Sequence, residues 1–297
     1  MSSHGITPAD LRAVNLPRRK LVNRAMEGVA MLTALVAVSI LVIVVYYVAK
    51  RGLSALNIDL LTRDPVPFAI GPVKQGLRNA FVGSFVIVSL ATVMALPTGI
   101  LVALYLREYA PVKVRNVVSL LLDVLAGIPA IVIGIFVYGL FVIGRGQSGW
   151  AGAFALGCLM LPFVARSTME VLALVPNSLR EASLGLGVPR WRTTLSVVLP
   201  QAIGGIITGA VLAVARVAGE TAPLLFTSSI VGAKTSANPF HALQSIPVAI
   251  FELSESPSPD DHARAWAAAF LLLLFILFAS LGARWLATRS RRKLMAR

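Results

Sequence analysis

The sequence predicts an all-α integral membrane protein with six transmembrane helices. Of its 297 residues, 57% are hydrophobic and only 13% charged, against about 25% charged in an ordinary soluble chain. Mean hydropathy stands at +0.81. The apolar residues also fall in runs of about 20, the length a helix needs to cross the hydrocarbon core of a bilayer. None of these runs shows the period-two alternation of a membrane barrel.

The spans read, in order, at about 28–49, 80–105, 117–143, 151–173, 196–226 and 264–286. Segment 1–20, MSSHGITPADLRAVNLPRRK, precedes a run too long for a signal-peptide core and has no small-residue cleavage site, so span 1 reads as a retained helix. Its LTALVAVSILVIVVYYVA carries no charge at all. Backbone amides in lipid must be bonded within the segment, which leaves only a helix. Spans 3 and 5 exceed one crossing and are expected to be tilted or broken. Pro97, Pro129 and Pro200 each free a carbonyl and bend a span, as is tolerated where neighbours line a cavity. Span 4 holds Cys158, the only cysteine, which rules out an internal disulfide and reads as a small buried hydrophobe.

Lys and Arg are held on the cytoplasmic side of membrane proteins. With the N-terminus inside, the inner segments carry 17 of these residues, the outer ones eight, and Arg166 and Arg216 lie within spans. Both termini, and the connection between spans 4 and 5, are therefore expected in the cytoplasm. The formal charge of +14 does not signal nucleic acid, because the basic residues are scattered over loop ends and a tail, RSRRK at 289–293. Anionic headgroups suit them better. No GxSxG, no paired carboxylates in a soluble domain and no phosphate-cradling G-x-x-x-x-G-K-[ST] loop occurs, and His4, His241 and His262 are dispersed. The chain reads as no enzyme, with no cofactor and no metal, so any ATP hydrolysis belongs to a partner.

One compact polar stretch interrupts the spans at about 174–200. Gly187 can end a first short helix in the left-handed conformation, and Pro189 suits the first position of a second. The elbow so formed leaves Arg180, Arg190, Trp191 and Arg192 available to a partner. The plainer reading is a basic loop anchored at the interface by Trp191. Glu181-Ala182-Ser183, three residues, Gly187, nine residues, Val197, one residue and Leu199-Pro200 resembles the EAA signature of ABC-importer permeases, with Ser and Val in place of Ala and Ile. The resemblance implies that Glu181, Ala182, Gly187, Arg190, Leu199 and Pro200 couple the chain to a cytoplasmic ATPase.

Four further blocks, ALPTGILVALYLREYA (95–110), LAGIPAIVIG (125–134), VPNSLREASLGLG (175–187) and ARVAGETAPLLFT (215–227), resemble the phosphate-specific ABC permease family, closest to its PstA-type subunits. The similarity runs from about Gly76 to the end. It implies a type I importer fold: a cytoplasmic segment at 1–25, a permease domain at 26–287 in the inner or plasma membrane, and a basic tail at 288–297. It also implies a homologous PstC-type permease, a PstB-type ATPase dimer and an extracytoplasmic PstS-type phosphate-binding protein as partners.

The intramembrane charges agree with an anionic cargo. Arg216 and Glu220 are one helical turn apart, and Arg166 and Glu170 repeat the spacing. An arginine in a span costs about 2.5–3.5 kcal/mol on insertion scales, so it is expected to face a bundle interior or wet pathway. Its planar fork matches two phosphate oxygens. The competing reading makes each pair a static tie between helices. Asp123 either caps a helix start or joins the same network. Two other functions stand beside phosphate import. One is a permease for another oxyanion, such as sulfate or molybdate, or the sister phosphate subunit. The other is an ATP-independent carrier or channel using the Arg/Glu pairs as a relay.

Overall fold

The computed structural model describes residues 16–66, 75–229 and 234–295, and among them every regular element is helical. The chain divides into two units, residues 1–50 and 51–297. The first contains most of α1 (Leu16–Ala55), one uninterrupted helix with a mean hydropathy of 2.8 in its most apolar stretch. The last turn of α1 belongs to the second unit. There the Arg51 guanidinium lies 5.3 Å from the Trp266 ring centroid.

In the second unit a short α2 (Ile58–Thr62) is capped by the Asn57 side chain, which accepts from the Asp59 amide. Then comes α3 (Arg78–Leu104), prolonged by a π-helical turn at Tyr105–Tyr109. Next are α4 (Val112–Gly127) and α5 (Ala130–Val137), the latter prolonged by a π turn at Tyr138–Val142. α6 (Gly149–Ala173) leads through α7 (Asn177–Gly185) and α8 (Arg190–Thr193) into a third π turn, Thr194–Val198, and α9 (Leu199–Ala218). α10 (Ala222–Thr227), α11 (Ile246–Ser254) and α12 (Pro259–Met295) complete the order.

Among the described residues five helices are long and apolar enough to cross a membrane, and α4 with α5, bent by 94°, brings the number to six when the pair is counted as one span. The bend follows from Pro129. A residue before proline is pushed out of the helical region, and Ile128 accordingly adopts φ −68°, ψ 129°, with Pro129 itself at φ −57°, ψ 134°. Span 5 also breaks, well after Pro200: α9 stops at Ala218 and α10 starts at Ala222. Pro200 falls at the start of α9 just behind a π turn, where its missing N–H is accommodated. Pro162, unremarked in the sequence, lies buried inside α6.

Helices driven together without a hydrophobic effect between them rely on small residues for close approach. A Cβ on Gly99 of α3 would sit 2.8 Å from Val164 Cγ1 of α6, and one on Gly209 of α9 would sit 2.6 Å from Ser167 Oγ. α6 is thus clasped by α3 and α9. The central core gathers Ile87, Val137, Leu156, Met160, Val217 and Leu224 from five helices. A smaller core of Leu172, Val175, Val198, Ala202 and Ile206 lies beneath it, at the end where α7 and α8 project.

Candidate functional site: a polar elbow and an intramembrane arginine

The stretch after α6 folds as helix, turn, helix. Gly187 has φ +80°. Its N–H reaches the Leu184 carbonyl at 2.9 Å and that of Val188 reaches Ser183 at 3.2 Å, the pair of bonds that closes a helix with a left-handed residue behind it. Pro189 precedes the second helix rather than occupying its first position: Arg190 starts α8, while the Pro189 carbonyl accepts from the Arg192 and Thr193 amides, both at 3.0 Å. Ser183 and Thr193 hydroxyls meet at 2.9 Å and pin the two helices together.

The elbow surface is uneven in character. Glu181, Ala182, Gly187, Arg190 and Pro200 are exposed, and Leu199 is half-buried. Leu186 at the tip is 84% exposed, and Arg192 lies over the Trp191 ring at 5.3 Å. Arg180 corrects the expectation that it is available to a partner. It is turned inward against the protein and donates to both carboxylate oxygens of Glu108, at 2.9 and 3.2 Å.

Higher in the bundle, Arg216 ends α9 with its guanidinium carbon 4.3 Å from the Phe163 ring centroid. It is exposed, and it forms no hydrogen bond or ion pair with Glu220. The four-residue spacing is not realised as a helical turn, because Gly219 caps α9 and Glu220 lies beyond the helix. This break is joined to the one between α4 and α5. α5 packs beside α10 so tightly that a Cβ on Gly134 would lie 2.7 Å from Pro223 Cα. The LAGIPAIVIG and GETAPLLFT blocks, far apart in sequence, therefore form one contact.

Arg166 needs a second correction. Its ion-pair partner is Asp123 of α4, not Glu170, and it also donates to the Ser119 carbonyl at 3.1 Å. α4 packs on α6 and offers both acceptors, while Glu170 stays exposed. Arg166 Nε is left buried without a partner.

At the end opposite the elbow, an open and largely apolar cavity of about 650 Å³ is lined by Ile135, Tyr138, Gln147, Leu225, Phe226 and Phe251. Nearby, Asn79 Nδ2 donates to Gln244 Oε1 at 2.8 Å and Gln244 Nε2 to Glu252 at 2.6 Å, tying α11 to the start of α3. Burial pushes the Glu252 carboxyl above the ordinary carboxylate range, the Gln244 hydrogen bond pulls it back down, and the Asp261 charge adds to the rise.

Two ties were not foreseen from the sequence: Glu108 with Arg180, and Tyr109 with Thr194 (hydroxyls 3.2 Å apart). No local signal marked the first of these, whose two residues stand 72 positions apart and meet only in the fold.

This architecture defines a membrane-spanning transport subunit, and comparison with known proteins agrees. The family model of binding-protein-dependent transport system inner membrane components matches residues 95–292. The chain is 40% identical over 262 residues to the phosphate transport system permease protein PstA of Haemophilus influenzae, covering 87% of this chain and 91% of that one. It is 42% identical over 225 residues to PstA 1 of Mycobacterium tuberculosis strain H37Rv, covering 73% and 72%. A bacterial ABC transporter that imports alginate superposes with a TM-score of 0.59 at 15% identity over 90% of this chain and 98% of that one. The MetNI methionine ABC transporter gives 0.56 at 18% identity, covering 72% and 93%; both likenesses are of fold. The chain belongs to the inner membrane components of binding-protein-dependent transport systems and, within them, to the PstA-type permeases. It is a transport subunit and not itself an enzyme.

Proposed function

We propose that this chain forms, with a homologous permease, the translocation path of an ATP-driven importer of inorganic phosphate. An extracytoplasmic binding protein delivers the anion, and an ATPase dimer docks beneath the elbow. Both termini lie in the cytoplasm, in keeping with the excess of Lys and Arg in the inner connections. Nucleotide binding and hydrolysis in the ATPase rock the two permeases between outward- and inward-open states.

The observation that carries the reading is Arg216. It sits near the end of a membrane helix, one of its faces is taken by the Phe163 ring, and among the described residues no acceptor takes its N–H donors. Such a residue is costly in a span unless it meets water or an anion. Glu220, half-buried four residues on, supplies repulsion that keeps a bound anion from being trapped. Arg166 and Glu170 extend the path toward the elbow end, with Arg166 held by Asp123.

Uptake of labelled phosphate into vesicles holding the assembled complex tests the assignment. Arg216→Lys keeps the charge and loses the bidentate fork, so uptake falls by about tenfold or more while complex yield holds. Arg216→Gln/Glu220→Gln also fails to transport. A transporting double variant would remove Arg216 as a phosphate ligand. Competition by unlabelled phosphate, and not by sulfate or molybdate, fixes the cargo. Loss of all uptake when the ATPase is omitted excludes an ATP-independent carrier.

A further inference from the structure

We propose that Glu108 and Arg180 form a joint that carries movement of the elbow into the second apolar span, a positioning role distinct from docking the ATPase or touching cargo. The inference rests on the reading that the elbow receives the ATPase.

Arg180 has five N–H donors and each has an acceptor. Nε and one Nη2 hydrogen take the two carboxylate oxygens of Glu108, at 3.2 and 2.9 Å. Nη2 also reaches the Leu172 carbonyl at 3.0 Å, and Nη1 reaches the Val175 carbonyl at 2.6 Å and Asn177 Oδ1 at 3.3 Å. A saturated guanidinium has nothing left to offer a partner protein or an anion. Only 15% of the Arg180 side chain and 10% of that of Glu108 are exposed.

The acceptors belong to three separate segments. Leu172 lies in the last turn of α6 and Val175 just beyond it, Asn177 begins α7, and Glu108 lies 72 residues back in the π turn that prolongs α3. The carbonyls at a helix end lack intrahelical partners, so Arg180 caps α6 and in the same act fastens α7 to the second span. The neighbouring Tyr109 hydroxyl lies 3.2 Å from that of Thr194, in the π turn behind α8. With Ser183 bonded to Thr193, both helices of the elbow are tied to one turn, Tyr105–Tyr109.

That turn and Thr194–Val198 are both π-helical, a widened form that recurs at functional positions in helices. A span can shift its register at such a turn while the fork of Arg180 stays closed. Displacement of the elbow then reaches α3 and α9 through bonded groups rather than through lipid-facing loops. A fork–fork pair fixes orientation as well as distance, which a Lys–Glu contact would not.

The test uses the assembled complex in vesicles and three readings: ATPase subunit retained per permease, ATP hydrolysed, and labelled phosphate moved per ATP. Glu108→Gln is expected to keep the ATPase at the wild-type ratio and to lower phosphate moved per ATP by roughly three- to thirtyfold; Arg180→Lys does the same. If the chain with Glu108→Gln does not insert, Glu108→Asp, which keeps the charge and shortens the reach, gives the same reading. Wild-type phosphate per ATP in these variants overturns the joint. So does parallel loss of the ATPase and of uptake, since the pair would then only shape the docking face. The docking reading is checked in its own arm by Leu186→Asp at the exposed tip: retention of the ATPase with full uptake there overturns docking by the elbow.

Discussion

Gly187 offers a perturbation whose effect can be worked from geometry alone. Its φ of +80° lies in the left-handed region, which costs residues bearing a Cβ about 1–2 kcal/mol. A Cβ added there would meet nothing within 4 Å, so the cost is backbone strain without collision. At about 1.4 kcal/mol per tenfold, the formed turn loses roughly five- to thirtyfold against the unformed one. Strain and size rank substitutions differently. By strain, Asn suffers least, Ala more and the β-branched Val most; by size, Ala is the mildest. Labelled phosphate uptake per assembled complex should therefore fall in the order Gly187→Asn, Gly187→Ala, Gly187→Val, with Asn near the wild type and the helices still inserted. If Ala outperforms Asn, a partner surface abuts this residue and the strain argument is wrong. Full uptake with Val would show that the turn plays no part in coupling.

Two further outcomes follow from the same structure. Gly134→Val places a methyl-bearing carbon into the Pro223 backbone, where a Cβ would already be 2.7 Å from Cα; overpacking of this kind costs about 1–3 kcal/mol, so detergent thermal stability and uptake should both drop. Gly282→Val, at a position with nothing within 4 Å, should change neither, and equal loss in the two variants would point to inserted bulk in general rather than to the α5–α10 contact. A reporter active only in the cytoplasm should work when fused after Arg192 or at the C-terminus and fail near Ser256; activity at Ser256 would break the six-crossing topology.

The parts of the fold legible in the sequence were those set by local chemistry. Run length placed the spans, Pro129 announced the break between α4 and α5, and the glycine in SLGLGVP gave the left-handed turn. What escaped depends on contacts distant in sequence. Spacing of four residues suggested Glu170 for Arg166, yet a long side chain on a packed helix chooses among acceptors on its neighbours, and α4 supplied Asp123 together with the Ser119 carbonyl. The Arg216–Glu220 spacing presupposed a continuous helix, although Gly219 and the proline four residues later are themselves a stop signal. Glu108 and Arg180, each unremarkable in its own segment, meet only because α3 and α6 are drawn together by small residues such as Gly99.

The state of their donors separates three arginines, Arg180 in the elbow and Arg166 and Arg216 within spans. Arg180 has every N–H engaged by the protein, so it can only hold structure in place. Arg166 is partly engaged, with one ion pair, one carbonyl and a buried Nε lacking a partner. Arg216 has its face on Phe163, and among the described residues its donors meet no acceptor. Hydrogen bonds to a charged group are worth about 1.5–3 kcal/mol each, and a chain that spends none of them on an intramembrane arginine leaves them for something that arrives later. An anion with several acceptor oxygens satisfies Arg216 without rearranging the helices around it. For Arg180 the same anion would first have to displace five existing bonds. Substitution by Lys should therefore act on different readings at the two positions: at Arg216 it should lower uptake through weakened phosphate binding, visible as a raised concentration for half-maximal uptake. At Arg180 it should leave that concentration unchanged and lower only the phosphate moved per ATP. Matching effects at the two residues would show that donor occupancy in this fold does not distinguish a ligand from a joint.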